Sequence, residues 1–441
     1  MKKPKSNTGQ KLYQQAKRLI PGGNQLLSKR PEMFLPDQWP AYYSRAKGVY
    51  VWDLDGKKYL DMSIMGIGNC LLGYGDPDVD RAVKDAIDKG VMATFNAPEE
   101  VKLAELLLKL HPWADMVRYA RTGGEAMSMA VRIARAATNK DKIAFCGYHG
   151  WSDWYLSANL ADDKTLDGHL LPGLEPRGVP RGLKGTLIPF HFNNITELKV
   201  AVKAAGKDLG AIVLEPVKGK LPTPEFIDAV RKLADKTGAV LIADEITAGF
   251  KFAKGGSHLA YGLKPDMAVF SKAMANGYAM AAVIGKRAIM QAAQTTFVSS
   301  TNWTERIGPV AALATINKLI KTDTAARLAW IGKSVKHVWE LASKKHGVPI
   351  VVAGSDAIAN FSFSGPNAQV CKTLFVQEML AQNILASNLF FGTLAHTNAH
   401  VKQYAKAVDR SFVILKQAID SNTLRKRLKG PVAHTGFARL N

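Results

Sequence analysis

Apolar positions along this chain follow two rhythms that alternate through its middle. Runs such as Ala211-Ile-Val-Leu214, Ala239-Val-Leu-Ile-Ala243 and Met267-Ala-Val-Phe270 have the length and continuity of buried strands. Between them, apolar residues recur three and four apart, as on one face of a helix. The segment 223–243 shows both rhythms. Thr223 is placed to cap a helix with Pro224 in its first turn. Phe226, Ile227, Val230, Leu233 and Ala234 form its apolar face, and Gly238 stops it before the strand. From about residue 76 to 320 this alternation predicts βα units and a mostly parallel sheet in an α/β fold.

The two ends of the chain read differently. Residues 11–75 open with a short helix, a turn at Ile20-Pro-Gly-Gly23, and a hairpin of Gly48–Asp53 with Lys58–Asp61 around Asp55-Gly56. Helices predominate from about 305, two of them near 367–382 and 398–419, with strand-like pieces around 349–353 and 359–363. The stretch 168–185 is too rich in Pro and Gly for a regular element. It carries Arg177 and Arg181, and either borders a site or is a surface excursion.

Composition narrows the class of protein. The chain has 441 residues, enough for more than one domain, and at 47% hydrophobic and 22% charged it has the balance of a globular protein. No apolar run reaches the roughly 18–20 residues that span a bilayer, and no apolar segment follows the basic first residues, so neither membrane nor secretory signal is expected. Cys70, Cys146 and Cys371 are odd in number and far apart, which suits neither a disulfide framework nor a metal site. A reducing compartment, the cytoplasm, is the expectation. The formal net charge of +22 is carried mostly by single lysines, with Arg425-Lys426-Arg427 the densest group. Without a zinc-finger spacing or an RNP-type motif, nucleic acid is not the expected partner. A solvated surface, or a field steering an acidic substrate, accounts for the charge.

The candidate chemistry lies where the strands end. Asp244 closes one apolar run and Lys272 follows another. In an open parallel sheet the carboxyl ends of the strands face the ligand crevice. An acid and an amine there are what pyridoxal 5'-phosphate (PLP) requires: the lysine forms a Schiff base with its aldehyde, and the acid keeps the pyridine nitrogen protonated. A plain strand-end ion pair is the competing reading. Arg118-Tyr-Ala-Arg-Thr122-Gly123-Gly124-Glu125 reads as strand, glycine turn and helix start, a seat for phosphate. Tyr148, after the strand Lys142–Gly147, is placed to lie on a pyridine ring, while His149 suits a turn. Glu215 ends a further strand, facing cofactor or substrate or bonded to nearby backbone.

In their order these segments resemble the class III aminotransferases of fold type I, and among them the glutamate-1-semialdehyde 2,1-aminomutase group. The resemblance runs from about Leu12 to Val408. It includes Ile20-Pro-Gly-Gly, the Gly-x4-Asp-x-Asp-Gly-x2-Tyr-x-Asp pattern at 48–61 and Leu72-Gly-Tyr-Gly-Asp-Pro. It continues through Thr-Gly-Gly-Glu-Ala at 122–126, Tyr-His-Gly at 148–150, Leu-Glu-Pro at 214–216, Asp-Glu-Ile-Thr-Ala-Gly-Phe at 244–250 and Phe-Ser-Lys272. It implies a large PLP-binding domain (76–320) around a mostly parallel sheet. A smaller α/β domain would combine residues 1–75 with 321–441. It also implies Lys272 as the Schiff-base lysine, Asp244 on the ring nitrogen, Ile246 beneath the ring, Tyr148 above it, and Gly123 and Gly124 on the phosphate. Thr301, in a Ser300-Thr301 step where the family has Gly-Thr, would reach across a homodimer interface into a shared active site.

The departures concern the substrate. The serine and arginine that follow Pro-Gly-Gly in the aminomutase group become Asn24-Gln25-Leu26-Leu27-Ser28-Lys29-Arg30, one residue longer and without a clear serine match. A Ser-Trp-Gly step common in related enzymes is Gly66-Ile67-Gly68, and a gating glutamate is Asn388. A cofactor cradle kept whole beside a rewritten substrate pocket implies an aminotransferase with another carbonyl substrate, working by ping-pong chemistry. Glutamate is the expected donor. The charge with Arg30, Arg177 and Arg181 favours an anionic acceptor such as an acidic sugar or keto acid. An aminomutase is the alternative, and a non-catalytic basic nucleic-acid-binding protein the remote one.

Overall fold

The computed structural model describes residues 7–162, 164–166, 169, 173–217 and 219–436. Its strands are β1 (Tyr43–Lys47), β2 (Tyr50–Asp53), β3 (Lys58–Met62), β4 (Met116–Ala120), β5 (Lys142–Cys146), β6 (Leu187–Pro189) and β7 (Leu209–Leu214). They continue with β8 (Val240–Asp244), β9 (Met267–Phe270), β10 (Ala281–Gly285), β11 (Ile350–Gly354), β12 (Ile358–Phe363), β13 (Ile384–Ala386) and β14 (Leu389–Phe391). The chain divides into two compact units, Met1–Asp76 with Ala326–Asn441, and Pro77–Ala325.

In the first unit β1, β2 and β3 form an antiparallel meander. Asp53 shapes the β2–β3 reversal: its Oδ1 accepts the N–H groups of Asp55 (3.0 Å) and Lys57 (2.9 Å). Gly56 turns there at φ +78°, a conformation open to a residue without Cβ. β13 joins this sheet parallel to β3, so segments from both ends of the chain share it. A second sheet, in the order β11-β12-β14, is antiparallel. Trp339, Phe361, Phe375, Phe390 and Phe412 fill the core of this unit.

The second unit is built on a seven-stranded sheet in the order β4-β10-β9-β8-β7-β5-β6. β9, β8, β7, β5 and β6 are parallel, and β10 alone runs against both its neighbours. Every residue of β7, β8, β9 and β10 is buried, as expected of strands covered on both faces. Local chemistry sets the helix ends. Thr223 Oγ1 accepts the Phe226 N–H at the start of the helix Pro224–Thr237, and Gly238 ends it in the left-handed region. The helix Gly123–Thr138 begins with a capping box, in which Thr122 Oγ1 accepts the Glu125 N–H and Glu125 Oε2 accepts the Thr122 N–H. Its buried stripe of Met127, Ala130, Val131 and Ala134 packs in the core beneath the sheet. Because β4 lies parallel to β9 across β10, Gly123, Tyr148, Glu215, Asp244 and Lys272 all follow strand ends on one edge.

Candidate active site

Asp244 is the last residue of β8 and pairs in register with Val269 of β9. Lys272 comes three residues after Val269, two past the end of that neighbouring strand. The backbone of Lys272 has φ +46°. A side chain with a Cβ rarely adopts that conformation, and holding it there costs of order 1–3 kcal/mol. The half-buried amine donates a hydrogen bond to Thr247 Oγ1 (2.9 Å). Burial pushes the Lys272 amine below the usual lysine value, against the pull of the Glu215 and Asp244 carboxylates. A lysine so placed is brought toward the neutral form that can act as nucleophile or base.

Asp244 is 2% exposed. Its Oδ1 accepts the Ile246 N–H (3.0 Å), and its Oδ2 lies 2.7 Å from His149 Nδ1. His149 Nε2 faces the Cys146 carbonyl at 3.1 Å. Carbonyl and carboxylate oxygens accept, so both bonds form only when each ring nitrogen carries a proton. By sequence His149 suits a turn; in the fold it fixes the orientation of Asp244. β5 and β8 are not adjacent in the sheet, so no local pattern could announce this bond.

Glu215, after β7, accepts the Tyr148 N–H through Oε2 (3.0 Å), which is the backbone bond foreseen as one of its two readings. Gly147 packs so close that a Cβ there would sit 2.6 Å from Glu215 Oε2. Tyr148 is 37% exposed, its ring edge-on to Tyr155. Ile246 closes on the glycine turn, where a Cβ on Gly123 would meet its side chain at 2.9 Å. Among the described residues no hydrogen bond uses the N–H of Gly123 or Gly124, at the positive end of a sixteen-residue helix.

Thr301 sits on an exposed turn, Thr301–Thr304, and no hydrogen bond among the described residues joins it to Lys272, Asp244 or Gly123. Asn388, in the other unit, donates through Nδ2 to the Phe361 carbonyl (3.0 Å). The loop 168–185 reaches the site through His169, whose Nδ1 accepts the Gly147 N–H at 3.3 Å. Gly168 and 170–172 lie outside the described residues. Arg181 begins a short 3-10 turn, Arg181–Leu183, a small correction to the expectation that this stretch holds no regular element: a single such turn fits between its prolines and glycines. Arg177 pairs with Glu175 in the open, where solvent screens the pair. Nothing in the sequence pattern singles out Thr247, which receives the Lys272 amine, or the fully buried Lys251.

The donor set fits PLP. Unclaimed amides at a helix start suit a phosphate, glycines leave no room for side chains there, and an oriented acid and an amine whose charged form burial disfavours suit a pyridine nitrogen and an aldehyde. The fold is that of the fold type I PLP-dependent transferases. The description Aminotransferase class-III matches residues 36–389, and the chain belongs to that family. PLP is therefore its cofactor and amino transfer its reaction. The chain is 31% identical to a 3-aminobutyryl-CoA aminotransferase of Cloacimonas acidaminovorans (strain Evry), over 92% of this chain and 97% of that one. It is 30% identical to a 2'-deamino-2'-hydroxyneamine transaminase of Streptomyces kanamyceticus, over 85% and 92%. The FumI protein of Sphingopyxis sp. MTA144, solved in its PLP internal aldimine form, has a TM-score of 0.85 at 27% identity, with 94% and 98% of the two chains covered.

Proposed function

We propose that the protein moves an amino group from a donor, glutamate by the habit of its family, to an anionic carbonyl acceptor, with Lys272 and Asp244 as the catalytic residues. The observation that carries this reading is the pair of side chains at the ends of adjacent strands, each held by its own partner, Thr247 or His149. When bound, PLP supplies an aldehyde conjugated to a ring that can accept electrons. Lys272 would hold it covalently through Nζ. Once released, Nζ would take the proton from the donor carbon that bears the amine and deliver it to the former aldehyde carbon of the cofactor, and in the second half of the cycle it would move a proton the opposite way. Asp244, steadied by His149, would keep the ring nitrogen protonated. Gly123 and Gly124 would donate to the phosphate, Tyr148 and Ile246 would flank the ring, and Glu215 would border it. Thr301 would serve the partner site of a homodimer.

The named relatives act on a CoA thioester and on an aminoglycoside. A CoA thioester carries phosphate charge, which a net charge of +22 would draw in, so an anionic acceptor of that kind stands beside keto acids and acidic sugars. The odd, widely spaced cysteines Cys70, Cys146 and Cys371 support a cytoplasmic location in this reading. Among the described residues no helix is long and apolar enough to cross a membrane. The likeness to the aminomutase group is the competing reading. Leu26 is 43% exposed and the Asn388 amide is already engaged, so neither reproduces the polar and acidic groups that reading needs.

Screening amino donors for bleaching of the purified protein's visible absorbance tests the proposal. Glutamate should bleach it and release a keto acid, and an acceptor should restore it. Lys272→Ala should abolish turnover and leave the fold intact. Turnover near the wild-type rate in that variant, or efficient isomerisation of glutamate-1-semialdehyde without a donor, would sink the reading.

A further inference from the structure

Lys251 has a position that the proposed transfer does not use. Its side chain is 1% exposed, among the largest fully buried ones of the protein. It follows Gly249, where a Cβ would lie 2.6 Å from the Glu245 carbonyl, and Phe250, whose φ is +63°. That tight turn carries the side chain back inward, and its Nζ donates to the Thr247 carbonyl (2.6 Å). Lys272 Nζ donates to the hydroxyl of the same residue (2.9 Å). Two amines therefore meet on opposite oxygens of one threonine.

Burying a lysine ammonium is costly unless a carboxylate is bonded to it. The acid whose charge acts on it, Glu245, is occupied elsewhere: its oxygens accept from Ser257 N (3.0 Å), Ser257 Oγ (2.8 Å), His258 N (2.6 Å) and His258 Nδ1 (2.7 Å). No ion pair of Lys251 within 4.0 Å occurs among the described residues. Burial and the neighbouring Lys272 charge bring Lys251 down to about 7, against the pull of Glu245. Around Lys272 the charged groups are Glu215 and Asp244, with His149 bonded to Asp244 and Tyr148 bordering both acids. Lys251 is the other amine held on Thr247, and it is the group on which the Lys272 charge acts.

Resting on the assignment of Lys272 as the cofactor-binding lysine, we propose that Lys251 is a positioning residue. Through Thr247 it holds the Lys272 nitrogen in place, and by its charge it disfavours protonation there. The two nitrogens form a coupled pair: a proton on one makes a proton on the other harder to keep. Removing the Lys251 charge therefore raises the pH at which the Lys272 nitrogen gives up its proton, and a permanent charge at 251 lowers it.

The experiment titrates the visible absorption band of the full-length, cofactor-loaded protein against pH in the wild type, Lys251→Met, Lys251→Gln and Lys251→Arg. The expected order of midpoints is Arg lowest, wild type between, and both neutral variants highest, displaced upward by about one pH unit. Thermal melting should show the neutral variants as stable as the wild type or more so, since a buried unpaired charge is gone. A merely space-filling Lys251 would leave the midpoint in place. An unmoved midpoint in either neutral variant that folds overturns the inference. Borohydride reduction followed by peptide mass analysis separates the two levels of the argument. Cofactor found on Lys272 with an unmoved midpoint removes only the role of Lys251, whereas cofactor found elsewhere removes the assignment of Lys272 and this inference with it.

Discussion

Asp244 and Glu245 are neighbours in sequence, and each bonds at 2.7 Å to the Nδ1 of a buried histidine, His149 and His258 respectively. Successive residues at a strand end point to opposite sides, and the two acids enter different surroundings. Glu245 is completely enclosed and accepts four hydrogen bonds from Ser257 and His258. Its histidine is closed off in turn: His258 Nε2 accepts from Trp113 Nε1 (3.2 Å), and His111 stacks on the ring. That ring donates once and accepts once, as a neutral imidazole does. Asp244 spends one oxygen on its own turn and the other on His149, beside the half-buried Lys272. The same acid–histidine pair thus seals a core in one place and presents a carboxylate at an edge in the other. What differs is how many of the acid's lone pairs the surrounding chain has already claimed.

The comparison breaks first, and hardest, at Asp244. Asp244→Asn should keep the fold and the cofactor yet lose about three orders of magnitude in kcat, because a neutral amide does not hold a ring nitrogen protonated. A loss below tenfold in steady-state kinetics would put Asp244 on a par with Glu245 as a structural acid. His149→Phe comes next. It leaves Asp244 charged but free to turn, and a drop of about ten- to a hundredfold in kcat with little change in melting temperature is expected. Rescue by an amide side chain in His149→Asn would identify the lost function as orientation.

Glu245→Gln should act on stability and spare the chemistry. Losing charge-assisted bonds to buried donors costs about 2–3 kcal/mol in denaturant unfolding at neutral pH, while kcat of the folded fraction stays within about twofold. Burial raises the Glu245 carboxyl, but its bonds to His258 and Ser257 outweigh this and hold it below the usual glutamate value. A depressed acid stabilises the fold above its unfolded pKa, about 4.3, and loses that contribution as pH falls through the folded value. The gap between wild type and Glu245→Gln should therefore be full at pH 7 and shrink below about pH 4. A gap independent of pH would show that the charge of Glu245 contributes nothing. Trp113→Phe, which removes the donor to His258 Nε2 together with part of the ring packed on it, should have the smallest effect, about 1 kcal/mol, with no change in any kinetic constant.

Much of this protein was legible along the chain because it is written in short-range terms. The period of the apolar residues marked the helices and strands, Thr223, Pro224 and Gly238 marked the ends of one helix, and the Gly123-Gly124 turn marked the start of another. Asp244 and Lys272 stood out because an ionisable residue closing an apolar run is a local anomaly. The pairing of β13 with β3, and the insertion of the antiparallel β10 between β4 and β9, carry no such mark, since strand order depends on contacts between distant segments. The same holds for the residues around the site. Alternation along β8 says that Asp244 and Glu245 part ways, but only the packed helices and turns decide which is enclosed. The bond from His149, the shared oxygens of Thr247 and the burial of Lys251 arise from that packing. A residue's type is a local property, whereas its solvent, its partners and therefore its proton are set by what the rest of the chain places beside it.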